Sequence, residues 1–310
     1  MRVFVAGATG VLGRRVVPAL LAQGHAVTGI GRASERLSAL ASKGMTPAAI
    51  DLFDAPKIKQ AMLGHDVVIN VATRVPPPSR MFLPGAWKEM DHVRREGSAL
   101  LADAAISAGV ARFIQESFAL IYPDSGDAWI NEAVPPKAAR YNRSTLDAEA
   151  SAARVARTGA TAVVLRFALL YGPGDAFAEQ IVGSIRRGWA PFFGRREGFV
   201  SLVTQEDAAA AAAAALTVPS GTYNVVDDAP MRRDAITEHV ARLLNVKPPK
   251  FLPPWMAKLG GSLGETLSRS LRISNERLKQ ASEWVPATPS AHEGLERAIG
   301  ADRAPSMKSA

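Results

Sequence analysis

Short apolar runs alternate with amphipathic segments through the first half of the chain. The runs are rich in β-branched residues, as in "RVFVAG" at 2–7 and "DVVINVA" at 66–72, which is typical of strands buried on both faces. The segments between them, such as 11–23, place apolar residues at helical spacing. Six such strands separated by helices predict an α/β fold: a doubly wound parallel sheet with helices on both faces.

The pattern loosens into helices and short strands in the second half of the chain. The run "YNVV" at 223–226 predicts one more buried strand, so we expect this half to be partly interleaved with the sheet. The alanine-rich run at 207–216 predicts a closely packed helix, because alanine has the highest helix propensity. The predicted units are a sheet domain over 1–173, a smaller lobe over 174–300 and a flexible tail over 301–310.

Composition narrows the chemistry. The chain has 310 residues, 47% of them hydrophobic and 21% charged, which is enough to build a substantial core. It has no cysteine, and this excludes disulfides, thiolate nucleophiles and cysteine metal sites. No run approaches the roughly 18 apolar residues of a membrane span, and the N-terminal segment lacks the features of a signal peptide. We therefore expect a soluble, cytoplasmic protein.

The net charge of +8 is spread along the chain. Local excesses of basic residues occur at 186–196 and 268–279, and neither alternates arginine with aromatic residues, so they indicate solvated surface rather than a nucleic-acid site. We expect a small-molecule substrate as the partner, and neither nucleic acid nor a membrane. The histidines show no spacing typical of metal ligands, which predicts no metal site; they are His25, His65, His92, His239 and His292.

Three glycines follow the first strand at the spacing of a phosphate-binding turn. Gly7, Gly10 and Gly13 lie between the end of that strand and the start of the first helix. Glycine permits unusual backbone angles there and lets a pyrophosphate approach the helix N-terminus, whose N–H groups bind anions. This context predicts a Rossmann fold that binds a dinucleotide, with a turn that binds no ligand as the alternative. We expect the cofactor to contact Gly7, Thr9, Gly10, Val11, Leu12 and Gly13.

The end of the second strand indicates which dinucleotide is bound. Many Rossmann folds place an acidic residue there, which binds the adenine ribose and repels a 2'-phosphate. Here Gly31 occupies that position and Arg32 follows it, so a phosphate would meet a cation and no carboxylate. The sequence therefore predicts NADP as the cofactor, with NAD as the alternative; Arg32 could also be an ordinary surface arginine.

Taken together, these features resemble the extended and atypical short-chain dehydrogenase/reductases, the NAD(P)-dependent epimerase/dehydratase family. Matching segments occur along most of the chain: "GATGVLG" at 7–13, "DL" at 51–52, "NVAT" at 70–73, "YNRSTLDAE" at 141–149, "LRFALLYGPGD" at 165–175, "YNVVDD" at 223–228 and "WVPATPSAHEGL" at 284–295. The resemblance implies that Asp51 and Leu52 line the adenine, and that Ala72 and Thr73 lie along the phosphates and ribose. It also implies a homodimer, through helices near 86–108 and 140–157.

The same resemblance implies hydride transfer, with a tyrosine as general acid/base, a lysine four residues later and a hydroxyl residue beside the substrate oxygen. Tyr141 matches the tyrosine, and Thr145 stands at the lysine position; both would contact the cofactor. The hydroxyl position falls on Phe118, so Ser117 is the candidate substitute. Without a neighbouring cation, a tyrosine of pKa near 10 is a poor base at neutral pH but a competent acid. The pattern therefore favours reduction over oxidation.

The proline-rich loop at 73–87 follows the fourth strand, where open α/β sheets place their ligands. Arg74, Arg80 and Trp87 in this loop are candidates to border the substrate, and a rigid lid without contacts is the alternative. Members of the family usually bind nucleotide sugars through an arginine shortly before the position of Asp207. The segment "GFVSLVTQED" at 198–207 contains no arginine. The candidate substrate residues are Arg74, Phe118, Tyr122 and Arg195.

The function predicted from the sequence is an NADP-dependent oxidoreductase that transfers a hydride to or from a small carbonyl or alcohol beside Tyr141. The missing lysine leaves open a dinucleotide-binding sensor or scaffold with little catalysis. The resemblance also leaves open a sugar-nucleotide epimerase or dehydratase.

Overall fold

The structure, a computed structural model, describes residues 1–31, 34–173 and 175–303, with backbone alone for 301–303. Its strands are β1 (Arg2–Ala6), β2 (Ala26–Gly31), β3 (Thr46–Ala49), β4 (Val67–Asn70), β5 (Arg112–Phe118), β6 (Trp129–Ile130), β7 (Thr161–Phe167), β8 (Leu169–Tyr171), β9 (Phe199–Val200), β10 (Leu202–Thr204), β11 (Gly221–Val225), β12 (Met231–Arg232) and β13 (Arg272–Ile273). Its α-helices are α1 (Gly13–Ala22), α2 (Glu35–Ala41), α3 (Ala55–Met62), α4 (Lys88–His92), α5 (Ser98–Ala108), α6 (Ser144–Ala156), α7 (Ala176–Arg186), α8 (Gln205–Ala214), α9 (Arg233–Leu244), α10 (Gly261–Ser268), α11 (Glu276–Ala281) and α12 (Ala291–Arg303).

Seven strands form one parallel sheet in the order β11-β7-β5-β4-β1-β2-β3. The chain runs outward from β1 in both directions, so the order reverses between β1 and β4. This confirms the predicted doubly wound α/β fold. The seventh strand, β11, contains most of the "YNVV" run and pairs with β7, with Val225 opposite Phe167. A crevice for ligands is expected where the order reverses, at the carboxyl ends of the strands.

Alternate residues of the strands enter two different cores. In β1, Val3 and Val5 pack with α1 and α8, whereas Phe4 and Ala6 pack with α3, α5 and α6. Both cores are fully covered, as expected of a parallel sheet. The alanine-rich run forms α8 as predicted, and this helix packs against α1. Its small side chains allow the two helices to lie close together.

The remaining elements form a lobe with its own core. Helices α7, α9 and α12 enclose a third apolar cluster, which includes Ile181, Ile236 and Leu295. Short strand pairs, β8 with β10 and β9 with β12, adjoin it. Helix α12 continues to Arg303, into the segment predicted as a tail, and residues 304–310 lie outside the described part. Within the described residues, no helix has both the length and the apolar character that a membrane crossing requires.

Candidate cofactor and catalytic site

The glycine turn after β1 packs directly on the residues that follow β4. Gly7 has φ +83°, and a Cβ atom there would lie 2.7 Å from both Cα and N of Ala72. A Cβ on Gly13 would lie 2.1 Å from the carbonyl oxygen of Gly7. The amide of Gly10 donates to the same carbonyl at 2.9 Å, which closes the turn. The turn is therefore compact, and a single methyl group at either glycine would distort it.

The helix that follows this turn begins at Gly13 and has no acidic residue in its first turn. Its first N–H groups lack partners within the helix, which makes this end suitable for a phosphate. Val11 is 45% exposed beside it, whereas Leu12 is buried in the core. Of the residues predicted to contact the cofactor, Val11 therefore presents its side chain to solvent and Leu12 supports the turn from below.

The end of β2 lies against the glycine turn. A Cβ on Gly31 would lie 3.2 Å from Cγ2 and 3.3 Å from Oγ1 of Thr9, so an acidic side chain at position 31 would press on the turn. Arg32, on which the prediction of NADP depends, lies outside the described residues. The close contact between Gly31 and Thr9 is a packing reason for the absence of an acidic residue at position 31.

Two other arginines adjoin this end of β2. Arg14 is in the first turn of α1 and Arg36 is in the first turn of α2. Burial, followed by repulsion from Arg15 and then Arg36, lowers the pKa of Arg14. Arg15 is paired with Glu206 at 2.8 Å. The sequence analysis missed Arg14 and Arg36, because neither belongs to the glycine motif and only the fold brings α1 and α2 together.

The other predicted cofactor residues lie at the carboxyl ends of β3 and β4. Asp51 is exposed and accepts a hydrogen bond from the amide of Phe53 at 2.9 Å. Leu52 lies on Gly97, where an added Cβ would come within 2.6 Å of its Cδ2. Ala72 adjoins the glycine turn, and the next residue, Thr73, is exposed. These residues and the glycine turn thus share one edge of the sheet.

Tyr141 lies just before α6 rather than on it. It belongs to a 3-10 turn, Arg140–Asn142, and α6 starts at Ser144, so the expectation of a continuous helix through Tyr141 was wrong. The ring packs edge-on against Trp87, with centroids 4.7 Å apart. The proline-rich loop therefore covers the tyrosine through Trp87, and the role of Trp87 beside a substrate stays a prediction.

The hydroxyl of Tyr141 is buried and has no hydrogen-bond partner among the residues that the structure describes. Thr266 lies nearby but donates to a carbonyl of its own helix at 2.8 Å, and the amide of Asn142 is bonded to backbone groups. Burial raises the pKa of Tyr141, and the charges of Arg94 and Arg269 oppose this only partly. The phenol is therefore protonated at neutral pH, which suits a proton donor and not a base.

A buried guanidinium group contacts Thr145, the residue at the lysine position of the resembling family. Thr145 is fully buried, and its hydroxyl accepts a hydrogen bond of 2.9 Å from Nη1 of Arg94. The Nη2 atom of Arg94 donates to Glu116 at 2.7 Å, and the guanidinium lies 5.7 Å from the ring centroid of Phe118. Arg94 belongs to a π-helical segment, Val93–Gly97, between α4 and α5.

The sequence analysis missed Arg94, although the sequence does contain a signal. Arg94 lies on the face that also carries Met90, Leu101 and Ala105, all of which are buried. An arginine within such an apolar stripe indicates a buried cation with a specific partner. Arg94 and Arg95 are adjacent, and the apolar stripe distinguishes the buried one from the exposed one.

Two other predicted site residues belong to a separate hydrogen-bond network. Ser117 donates to Glu149 at 2.5 Å, and Glu149 accepts two hydrogen bonds of 2.8 Å from Arg166. Arg166 also donates to the hydroxyl of Tyr122 at 2.9 Å, and that hydroxyl donates to Asn224 at 2.9 Å. Ser117 and Tyr122 are both fully buried. Their polar groups therefore hold β5, α6, β7 and β11 together, and among the described residues no hydrogen bond joins Ser117 or Tyr122 directly to Tyr141.

The predicted substrate residues divide between the site and the surface. Phe118 is half-buried below Arg94. Arg74 is exposed and paired with Glu89 at 3.0 Å, and Arg195 is exposed on the lobe. The loop at 73–87 contacts the lobe through Phe82, whose ring centroid lies 5.8 Å from that of Phe193. The structure thus places Trp87 against Tyr141 and Phe118 against Arg94, and Arg74 and Arg195 are exposed.

Two histidines that are far apart in the sequence meet in the lobe. The rings of His239 and His292 have centroids 3.7 Å apart, and Glu296 lies 3.7 Å from a nitrogen of each. The spacing of the histidines along the sequence did not show that these two meet. The Nε2 atom of His239 lies 3.0 Å from the backbone oxygen of His292, and a nitrogen that donates to a carbonyl is not free to bind a metal. One ligand atom from each of His239, His292 and Glu296 nevertheless lies within 4.8 Å of the others, so the absence of a metal site stays a prediction.

The sequence and the fold match known nucleotide-binding proteins. A family model described as NAD(P)H-binding matches residues 7–219. The 3-diazoavenalumate denitrifying reductase of a Streptomyces species is 32% identical, over 96% of this chain and all of the relative. The 2-alkyl-3-oxoalkanoate reductase of Shewanella oneidensis is 26% identical, over 88% of this chain and 73% of the relative.

Among solved structures, the human epimerase family protein SDR39U1 with NADPH superposes with a TM-score of 0.80 at 20% identity. The match covers 98% of this chain and all of that chain. At this identity the likeness shows the fold alone.

Proposed function

Because the chain belongs to the NAD(P)H-binding family, within the extended short-chain dehydrogenase/reductases, we propose that it reduces a small carbonyl substrate with NADPH beside Tyr141. Its relatives share the broader function of a reductase. The observation that carries the proposal is the hydroxyl of Tyr141, which is buried, protonated and unpaired. One of these relatives, the oxoalkanoate reductase, acts on an oxo compound by its name.

The residues present fit a dinucleotide. The turn at Gly7 and Gly13 has no room for a side chain, and it leads into a helix N-terminus without acidic residues. When bound, NADPH supplies the hydride. Tyr141 donates its proton to the carbonyl oxygen as that oxygen gains charge, and Arg94 and Arg269 stabilise the resulting phenolate. Trp87 covers the tyrosine and excludes water from it.

The preference for NADPH over NADH is supported by charge at the end of β2. Arg14 and Arg36 lie close enough to repel each other, and a 2'-phosphate between them would relieve that repulsion. In the sequence, Arg32 follows Gly31 and carries a further positive charge. Gly31 provides no carboxylate to oppose the phosphate.

The test of this proposal is a pair of substitutions assayed against a panel of ketones, aldehydes and sugar nucleotides. Tyr141→Phe is expected to reduce carbonyl turnover by about 10²–10⁴-fold, while NADPH affinity stays nearly unchanged. Ser117→Ala, the control, is expected to keep turnover and lose only stability, because Ser117 is bonded to Glu149. Wild-type turnover in Tyr141→Phe would refute the acid role. Tight NADPH binding without turnover of any compound would favour the sensor.

A second candidate substrate class, a diazonium compound, is supported by the name of one relative. The Streptomyces relative matches the whole chain and is a denitrifying reductase of a diazo compound. In such a reduction the hydride bonds to the carbon that bears the diazonium group, and N₂ leaves with the electrons of the broken C–N bond. NADPH becomes NADP⁺ and no proton is consumed. Such chemistry is compatible with Ser117 being committed elsewhere.

The two substrate classes are distinguished by the same substitution. Tyr141→Phe would reduce carbonyl turnover by about 10²–10⁴-fold, because that reaction needs a proton, but would leave diazonium reduction largely intact. Formation of the arene with NADPH consumption, above the rate without enzyme and equal in the wild type and in Tyr141→Phe, would support the second candidate. Absence of enzyme-dependent NADPH consumption with every arenediazonium salt tried would eliminate it.

A further inference from the structure

Three segments that are distant in the sequence meet on one surface of the molecule. The amide of Ala190 donates to the carbonyl oxygen of Lys250 at 2.9 Å, which joins the loop after α7 to the segment after α9. The ring of Phe193, in the same loop, lies against that of Phe82, with centroids 5.8 Å apart. Phe82 also lies on Gly260, where an added Cβ would be 3.0 Å from its Cε1 atom. These contacts join residues 79–88, 186–197 and 247–260 into what we call the basic apolar surface.

The net charge of the chain lies on this surface. Its three segments hold nine lysine and arginine residues and one acidic residue. The whole chain holds 37 basic and 29 acidic residues, so the rest of the chain holds 28 of each sign and is neutral. The nine basic side chains are all exposed; they are Arg80, Lys88, Arg186, Arg187, Arg195, Arg196, Lys247, Lys250 and Lys258. The charge of +8 is therefore spread along the sequence but gathered in the fold.

Few of these charges are neutralised within the chain. Among the described residues, one of the nine forms a salt bridge, Arg196 with Glu238 at 3.8 Å. By contrast, Arg95 on the sheet domain pairs with Asp147 at 3.0 Å. A group of like charges without internal partners attracts an anionic partner.

Large apolar side chains project between these charges. Leu259 is 75% exposed and Trp255 is 61% exposed, both on the 3-10 segment Pro254–Gly260. Three others are exposed on the same surface: Phe82, Leu83 and Trp189. Single exposed apolar residues are ordinary, but a group of them on contacting segments is typical of an interaction site.

We propose that the basic apolar surface binds the surface of an anionic lipid bilayer. Tryptophan is favoured at the boundary between headgroups and acyl chains, and an aliphatic side chain such as that of Leu259 is stabilised by entering the apolar region. The surrounding lysines and arginines attract the anionic headgroups. The expectation of no membrane partner came from the order of residues along the sequence, in which this group is not visible.

The chemistry of the surface disfavours two other partners. A second copy of the chain bound through the same surface would bring two groups of positive charge together, and like charges repel. Nucleic acid would neutralise the charges, but its bases stack on aromatic rings and offer little to leucines. A bilayer accommodates Leu83 and Leu259 as well as the charges.

The experiment uses the whole chain and vesicles of two compositions, phosphatidylcholine alone and an equal mixture of phosphatidylcholine and phosphatidylserine. Binding is measured by co-sedimentation and by the blue shift of tryptophan emission. The apolar variant is Trp255→Ser/Leu259→Ser, and the charge variant is Lys250→Gln/Lys258→Gln.

Each variant has a matched control, in which the same kinds of side chain are removed outside the surface. The apolar control is Leu63→Ser/Val285→Ser, and the charge control is Lys43→Gln/Lys59→Gln; all four side chains are exposed. None of the substituted residues lies at the cofactor turn, so an unchanged NADPH affinity verifies the fold of each variant.

The wild type is expected to bind the mixed vesicles, to bind phosphatidylcholine much more weakly, and to lose affinity as salt is added. The charge variant should bind about 25-fold more weakly, from about fivefold for each lysine removed. The apolar variant should bind roughly 10–100-fold more weakly and lose most of the blue shift, because its side chains no longer enter the bilayer. The controls should bind nearly as the wild type does.

Four results would overturn the proposal. The first is a wild type that does not bind the mixed vesicles at low ionic strength, and the second is equal binding to the two compositions. The third is wild-type binding by the folded apolar and charge variants; if the apolar variant does not fold, the charge variant decides. The fourth is binding of single-stranded DNA, or a dimer that the apolar variant dissociates, without vesicle binding. Catalytic turnover plays no part in these measurements, so the proposed function can fail without changing their result.

Discussion

Two glycines with nearly the same backbone conformation allow the packing of the cofactor turn to be measured. Gly7 has φ +83° and Gly24, at the end of α1, has φ +77°. A Cβ on Gly7 would lie 2.7–2.8 Å from backbone atoms of Val71 and Ala72, whereas a Cβ on Gly24 would meet nothing within 4 Å. Gly7→Ala and Gly24→Ala therefore share the strain of positive φ and differ in the overlap.

The difference between the two variants can be estimated from these distances. Placing a Cβ residue in the left-handed region costs about 1–2 kcal/mol. Forcing a methyl group into a closely packed site typically costs a further ~1–3 kcal/mol. We therefore expect Gly24→Ala to lower the free energy of unfolding by about 1–2 kcal/mol and Gly7→Ala to lower it by about 2–5 kcal/mol.

Urea unfolding followed by fluorescence measures both losses, and NADPH titration measures the consequence for binding. Because Ala72 adjoins β4, we expect the turn rather than the strand to move in Gly7→Ala, and NADPH affinity to fall. Gly24→Ala should bind NADPH as the wild type does. Equal losses of stability in the two variants, with NADPH affinity retained in Gly7→Ala, would refute the close contact between the turn and Ala72.

Three further predictions concern other parts of the molecule. Arg36→Gln and Arg32→Ala should each weaken NADPH binding about tenfold and leave NADH binding unchanged; calorimetry that shows equal losses for both cofactors would contradict the charge argument. Burial, followed by the charge of His292, lowers the pKa of His239; Arg242 acts in the same direction and Glu296 opposes it. Protonation of His239 therefore opposes folding, and stability falls as the pH drops below about 6.5. His239→Gln should flatten the change in Tm between pH 7.5 and 5, and parallel curves for the variant and the wild type would contradict this. The homodimer through α5 and α6 remains a proposal that light scattering at tens of micromolar tests, and a monomer there would remove it.

Local patterns in the sequence were sufficient for the sheet and the glycine turn. Alternation of apolar runs and helical segments depends on residues close together along the chain, and so does the turn at Gly7, Gly10 and Gly13. The resemblance to a known family added the positions of Tyr141 and Thr145. In each case the informative residues are separated by a few positions.

The sequence could not supply the contacts between distant segments. Arg94 and Glu116 lie on different elements of the fold, and nothing in the local sequence shows that they meet. Ser117 was a reasonable candidate for the catalytic hydroxyl because it lies beside Phe118 in the sequence. Its side chain instead points to Glu149 on α6, to which it donates a hydrogen bond. The same is true of Arg14 and Arg36, whose proximity follows from the packing of α1 and α2.

The place of β11 in the sheet has a consequence for how the chain can be divided and synthesised. A fragment that ends at residue 173 would leave the edge of β7 unpaired and the face of α1 that packs on α8 uncovered. Exposed edges and apolar faces of this kind favour aggregation. During synthesis, β7 leaves the ribosome well before β11. At a synthesis rate of roughly 5–20 residues per second, the edge of β7 stays unpaired for several seconds. The sheet of the nucleotide-binding half is thus completed only by β11, which follows elements of the lobe in the sequence. Neither half is therefore an independent folding unit.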